Sequence, residues 1–277
     1  MKSKKIIIGS RGSKLALIYA ERAREKLLNF CSEVEIKKIV TDGDLNQKDR
    51  LSDIGGKGLF SKKIENNLIN NQIDIAVHAL KDMPSEEPED LITNCFLERN
   101  DPREVLISKN NNQIRNLKTN SVIGTSSLRR EYQLKRIRND LKYKLIRGNV
   151  DTRIKKLNDD LYDAIILSYA GLKSLNIDEQ ISQIFSTQEI IPSVGQGVVA
   201  LQCRKNDKHT LDLLSKINHE KTSICVNAER YLLKVLEGDC ETAVGAFAYV
   251  ENDVINLNAE LFSIDGKQRF YHHSKKD

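Results

Sequence analysis

Gly124-Thr125-Ser126-Ser127-Leu128-Arg129-Arg130 lies between the apolar run "SVI" and the helical pattern "EYQLKRIRNDL". An apolar run, a short glycine- and hydroxyl-bearing turn and an amphipathic helix make a strand–turn–helix unit. The same design recurs at "GSRGS" after "KIII" and at "RGNVDTR" after "YKLI". At each place a helix N-terminus would offer unpaired N–H groups and a favourable dipole to an anion. Ser13, Thr125, Ser126 and Ser127 add hydroxyls; Arg11, Arg129, Arg130, Arg147 and Arg153 add forked cations. From Thr125 to Lys156 there are eleven Lys/Arg against three Asp/Glu, while the whole chain carries only +5 (44 − 39). Ligands of open α/β sheets bind outside the carboxyl ends of the strands, so the three turns are expected to face a common cleft.

Outward from these turns, strand-like runs alternate with helical patterns: "KIIIG", "VEIKKIV", "IDIAVHAL", "DAIILS" and "GVVALQC" each adjoin an amphipathic stretch. That order predicts α/β domains with largely parallel sheets. From about residue 218 a long helix leads into "ETAVGAFAYV", "VINLNAELFS" and "QRFYHHS", which predict a three-stranded antiparallel sheet. Residues 43–58 have no apolar periodicity and read as a long mobile loop. At 277 residues the chain can hold roughly two domains of about 100–150 residues. No apolar run is long enough to span a membrane. The five cysteines are widely spaced and form no CxxC, and the histidines form no HExxH pair. A disulfide framework and a metal site are therefore disfavoured, and a reducing cytoplasm is favoured.

The anion remains to be chosen. No Walker or dinucleotide glycine pattern is present. The basic window holds only Tyr132 and Tyr143, too few stacking platforms for a nucleic-acid surface. Lys135, Arg136, Arg138, Lys142 and Lys144 read as a solvated face. The arginines at the turns suit bidentate binding of carboxylates or phosphates. "DIAVHALKDMP" places Lys81 and Asp82 just beyond a buried strand, where a carboxylate serves as acid/base or stabilises a developing cation, or forms a plain surface pair with Lys81. Cys240 lies in the glycine-containing loop "LEGDCETAVG", a setting for a nucleophilic thiol, whereas Cys203 and Cys225 read as core.

Ten segments in order, "GSRGSKLAL", "DIGGKGLF", "DIAVHALKDMP", "RNDPREVLIS", "VIGTSSLRREYQL", "RGNVDTR", "DAIILSYAGL", "PSVGQG", "NAERYLL" and "LEGDC", give the chain a resemblance to the porphobilinogen deaminases over essentially its whole length. The resemblance implies two periplasmic-binding-protein-like α/β domains and a smaller C-terminal α+β domain. The corresponding boundaries are 1–97 with 198–215, then 98–197, then 216–277. It implies a transferase of tetrapyrrole (heme) synthesis, a hydroxymethylbilane synthase, that condenses four porphobilinogen molecules head to tail with release of ammonia. It further implies a covalent dipyrromethane cofactor, itself two porphobilinogen units, on Cys240. Asp82 matches the catalytic aspartate, positioned to stabilise an azafulvene-like cation and move protons. Lys81, Arg129, Arg130, Thr125, Ser126, Ser127, Arg147, Gly148 and Asp44 are implied to hold the cofactor. Arg11, Ser13, Arg147, Arg153, Lys57, Phe60 and Gln196 are implied to hold substrate, with no metal. A cytoplasmic monomer without nucleic-acid or membrane partners is expected.

Ala79 stands where the family commonly has serine, Asp239 where it has glycine, and Asp53 where a lysine is common. The family also continues into a C-terminal helix after the third strand, which the last domain here is expected to lack. Arginines of such a cleft, unoccupied by ligand carboxylates, are expected to repel one another. A two-lobed binding protein for polycarboxylates, without catalysis, is the alternative; it would need neither Cys240 nor Asp82.

Overall fold

A computed structural model describes residues 5–45, 58–238 and 242–276. These fall into two compact units: 5–45, 58–100 and 198–238 form the first, and 101–197 with 242–276 form the second. In the first unit the chain runs β1 (Ile6–Arg11), α1 (Lys14–Leu27), β2 (Val34–Ile39), α2 (Asp42–Leu45), α3 (Lys62–Ile69), β3 (Ile75–Ala79) and β4 (Leu91–Phe96). In the second it continues through β5 (Glu104–Ser108), β6 (Val122–Gly124), α4 (Leu128–Ile137), β7 (Lys142–Lys144), α5 (Val150–Asn158), β8 (Ala164–Ser168), α6 (Tyr169–Ser174) and β9 (Gln183–Ile184). β10 (Val199–Arg204), α7 (Lys208–Ser215) and α8 (Glu220–Val235) return to the first unit; β11 (Val244–Glu251), β12 (Val254–Phe262) and β13 (Arg269–Lys276) belong to the second.

The two five-stranded sheets share one design. Their orders are β2-β1-β3-β10-β4 and β7-β6-β8-β5-β9. In each, three neighbouring strands are parallel and one strand runs antiparallel between the third and the edge. The antiparallel strand is in both cases the one that enters the sheet after the chain arrives from the other unit. β4 and β5 escaped the reading of alternating runs; the antiparallel β10 and β5 make the largely parallel sheets mixed.

Period-two burial explains the layers. Along β1, Ile6 and Ile8 pack with Ala20, Ala23 and Leu27 of α1, while Ile7 packs on the opposite cluster around Ile64 and Leu68 of α3. Along β8, Ala164 and Ile166 face Leu134 of α4, whereas Ile165 and Leu167 face Leu157 of α5 and Leu172 of α6. Each sheet thus lies between helices. The strands end where these helices begin, so both sheets gather their strand-to-helix turns at one edge.

β11, β12 and β13 form the expected three-stranded antiparallel sheet. It docks within the second unit: Tyr132 of α4 packs against Ala243 and Phe262 and donates to the Ile264 carbonyl at 2.6 Å. α8 is held in the first unit by a buried fork, Arg99 Nη1 and Nη2 to Glu229 Oε1 and Oε2 at 2.8 and 2.9 Å. Among the described residues no helix is long and apolar enough to cross a membrane. Cys31, Cys95, Cys203 and Cys225 are buried, and burial pushes the Cys95 thiol up to about 12 and Cys203 to about 11. These are packing cysteines, as read for Cys203 and Cys225.

Candidate active site

In the first unit β1 and β3 are parallel neighbours, so the turns after them meet at one sheet edge. Ser13 caps α1 by accepting from the Ala16 N–H at 3.3 Å, which fixes the turn carrying Arg11. After β3 a single 3-10 turn, Leu80–Asp82, turns the chain before Pro84. Arg11, Ser13, Phe60, His78, Ala79 and Asp82 line one pocket there. At Ala79 the pocket presents a methyl group in place of the hydroxyl common in the resembling family. Lys81, next in chain to Asp82, is half-buried.

Arg11 is already engaged. Its Nη2 and Nε donate to Asp44 Oδ1 at 2.5 and 3.1 Å, and its guanidinium lies 4.1 Å from the Phe60 ring centre. Thr41 completes the carboxylate seat, donating from Oγ1 at 2.7 Å and from its N–H at 3.2 Å. Burial works to raise the Asp44 carboxyl, but hydrogen bonds from Arg11 and Thr41 outweigh it and hold the group below its ordinary value. His78, which also lines the pocket, is 7% exposed. Burial pushes it down to about 4, with the Arg11 charge acting in the same sense against a Gln202 hydrogen bond. The imidazole is therefore neutral at physiological pH.

In the second unit β6 and β7 are parallel neighbours, and the Thr125 N–H donates to the Lys144 carbonyl at 3.1 Å. This brings the turns 125–130 and 147–153 to a common sheet edge. Ser127 caps α4 by accepting from the Arg130 N–H at 3.4 Å, and Thr125 Oγ1 accepts from the Ser127 N–H at 3.1 Å. Ser126 is exposed. Arg147 is buried at the end of the following loop. Gly148 has φ +111, a conformation that favours glycine, and Arg153 Nε donates to its carbonyl at 2.8 Å.

Arg129 and Arg130 are not free cations at this edge. Their side chains are 4% and 8% exposed and converge on Glu104, whose side chain is 0% exposed. Arg129 Nη2 meets Glu104 Oε1 at 2.6 Å, and Arg130 Nη2 meets Oε2 at 2.8 Å. Arg129 Nη1 also donates to the Ile191 carbonyl at 2.8 Å, and Arg130 Nη1 to the Ile166 carbonyl at 3.3 Å. Burial presses the Arg129 guanidinium below its ordinary value, with the Glu104 charge opposing. The expected mutual repulsion of empty arginines is thus corrected: Glu104 and Asp44 supply internal carboxylates. Glu104 was missed because an isolated acid carries no motif. The available signal was its place at the head of "EVLIS", a charge opening a strand buried throughout.

Gln196 is 1% exposed, and its Nε2 donates to the Pro102 carbonyl at 2.7 Å, between Gly195 and Gly197 at φ 69 and 82. It thereby joins the two segments by which the chain enters and leaves the second unit. Lys57 and Cys240, like Asp53 and Asp239, lie outside the described residues. Of the basic face, Lys135, Arg136, Lys142 and Lys144 are exposed, as expected, while Arg138 is pinned by Asp140 and by the carbonyls of Ile114 and Leu117.

Two mixed sheets of one design, each with cations and capped helices at its strand-end edge, and a small antiparallel sheet define a two-unit α/β protein. Residues 6–212 match the family described as porphobilinogen deaminase, dipyromethane cofactor binding domain, and residues 223–277 match its C-terminal domain. The chain is 43% identical over 273 residues to porphobilinogen deaminase of Staphylococcus epidermidis (97% of this chain, 89% of the relative). It is 46% identical over 267 residues to that of Bacillus cereus (95% and 86%). It also aligns with the structure of the methionine binding protein MetQ at 13% identity and TM-score 0.48, over 89% of this chain and 99% of that one. The chain belongs to the porphobilinogen deaminase family.

Proposed function

We propose that the chain is a hydroxymethylbilane synthase that condenses four porphobilinogen molecules head to tail and releases ammonia at each addition. The observation that carries this reading is the first-unit pocket, where Asp82 shares one cavity with Arg11, Ser13 and Phe60. Porphobilinogen bears an acetate and a propionate, so its recognition calls for carboxylate donors around a site that tolerates a cation. Arg11, Ser13, Lys57, Phe60, Arg147, Arg153 and Gln196 are assigned to substrate. Asp82, at the pocket rather than among the buried arginines, accepts from the pyrrole N–H. There it stabilises the positive charge that develops when the substrate C–N bond breaks and nitrogen leaves as ammonia. The new C–C bond forms at a pyrrole α-carbon, which then loses its proton, with the Asp82 carboxylate as acceptor.

The residues present fit the dipyrromethane group of this family. Two guanidiniums share one Glu104 carboxylate, which leaves a surplus positive charge, and buried Arg130 Nε has no partner among the described residues. A polycarboxylate answers both. Arg129, Arg130, Thr125, Ser126, Ser127, Arg147, Gly148, Lys81 and Asp44 would hold that group, with Cys240 as its thioether attachment. When bound, it supplies a primer whose terminal pyrrole carbon is the nucleophile. The division into domains 1–97 with 198–215, 98–197 and 216–277, a monomeric state, cytoplasmic location and freedom from nucleic acid and membrane are parts of the same proposal.

Porphobilinogen consumption tests the role of Asp82. Asp82→Ala should lower turnover by at least about 10³-fold, since charge stabilisation and proton transfer are both lost. Asp82→Glu should retain a small fraction. Undiminished turnover in Asp82→Ala would remove Asp82 from the mechanism.

A further inference from the structure

Glu104 has no place in the reaction as read above, yet it is the most deeply buried acid at the second-unit edge. Its position follows from strand geometry. Side chains two apart on β5 share a face, so Glu104 lies with Leu106, in the cluster that also holds Leu134 of α4. Arg130 stands one helical turn before Leu134 and therefore points into the same layer. The result is an Arg–Glu–Arg cluster in which one carboxylate meets two guanidiniums, with the charge of Glu260 acting on Arg129 from farther away. Buried ion clusters of this kind stabilise little by themselves, because desolvation consumes most of the attraction. Removing the acid leaves buried charges without a counterion.

We infer that Glu104 is a resident counter-carboxylate that holds Arg129 and Arg130 in place and competes with ligand carboxylates for their charge. It is a positioning residue, acting through the arginines rather than on the reacting atoms. This rests on the reading of Arg129 and Arg130 as carboxylate-binding groups. Its charge sets a balance: with Glu104 ionised, the two arginines and this one acid together carry a single positive charge, so the second unit's hold on a pyrrole carboxylate is moderated. Replacing the acid by its neutral isostere raises the surplus to two while keeping an oxygen that accepts from Arg129. The protein is then less stable alone and gains more from an incoming carboxylate.

The test is the thermal midpoint of the full chain with and without porphobilinogen, in a Cys240→Ser background so that nothing is attached covalently. Glu104→Gln should melt several degrees lower than the parent alone, and saturating porphobilinogen should raise its midpoint at least twofold more than the parent's. Glu104→Asp keeps the charge but withdraws it by one methylene; its ligand-induced rise should fall between the two, and it carries the test if the glutamine variant does not fold. Equal or smaller rises in the variants, with a clear rise in the parent, would overturn the competition while leaving the carboxylate site intact. No rise in any of the proteins would overturn both.

Discussion

Arg129 and Arg130 occupy positions of α4 that face the protein interior, where an amphipathic helix ordinarily places apolar side chains. Their charge is tolerated because Glu104 and two backbone carbonyls receive it. The sequence made the arginines conspicuous and left the acid invisible, since a motif records the residue types at a turn and not what the opposite strand brings. His78 shows the same limit. It stands inside "DIAVHALKDMP", but its burial beside Arg11 could be learned only from the packed sheet. Its lowered pKa carries a prediction. The unfolded chain gains a proton near the ordinary value of 6.5, while the folded imidazole stays neutral to about 4. Stability from this group is therefore complete above pH 6.5 and lost as pH falls toward 4, at up to about 1.4 kcal/mol per pH unit. Asp44 does not blur that window: its folded pKa lies below the ordinary 3.8, so its contribution is lost only in stronger acid. Denaturant unfolding between pH 7 and pH 5 should show this slope in the parent and a reduced one in His78→Asn. Equal slopes would show that the imidazole is protonated in the folded protein.

At the scale of elements, the alternation of apolar runs with amphipathic patterns made most strands and helices legible, including the closing three-stranded sheet. The runs "LITNCF" and "EVLIS" were passed over because neither adjoins a helical pattern in the chain. Their partners are supplied by distant sequence, β10 for the first and β8 for the second. α8 depends on a comparable long-range tie: Arg99, in the segment after β4, meets Glu229, whose side chain is 0% exposed. Arg99→Ala should cost about 3–5 kcal/mol, because it strands a buried carboxylate rather than merely deleting a contact. Equilibrium unfolding reads this directly. A change below about 0.5 kcal/mol would mean that water replaces the guanidinium there.

For the whole molecule, the repeated sheet design explains why three similar turns appear in one chain. Each unit presents the carboxyl ends of its parallel strands, and the same local chemistry recurs at both edges. An anionic ligand was legible from that repetition: many forked cations, few aromatics and no nucleotide loop leave carboxylates or phosphates, and the resemblance selects a polycarboxylate. Which polycarboxylate was not legible from composition or spacing; the ten ordered segments and the family matches over 6–212 and 223–277 supply it. The proposed synthase needs a primer attached at Cys240, and intact mass of the purified protein tests that attachment. After exposure to porphobilinogen the parent should gain the mass of two deaminated porphobilinogen units, and Cys240→Ser should gain nothing. A parent that stays unmodified under those conditions, or a Cys240→Ser variant that is modified equally, would contradict the account.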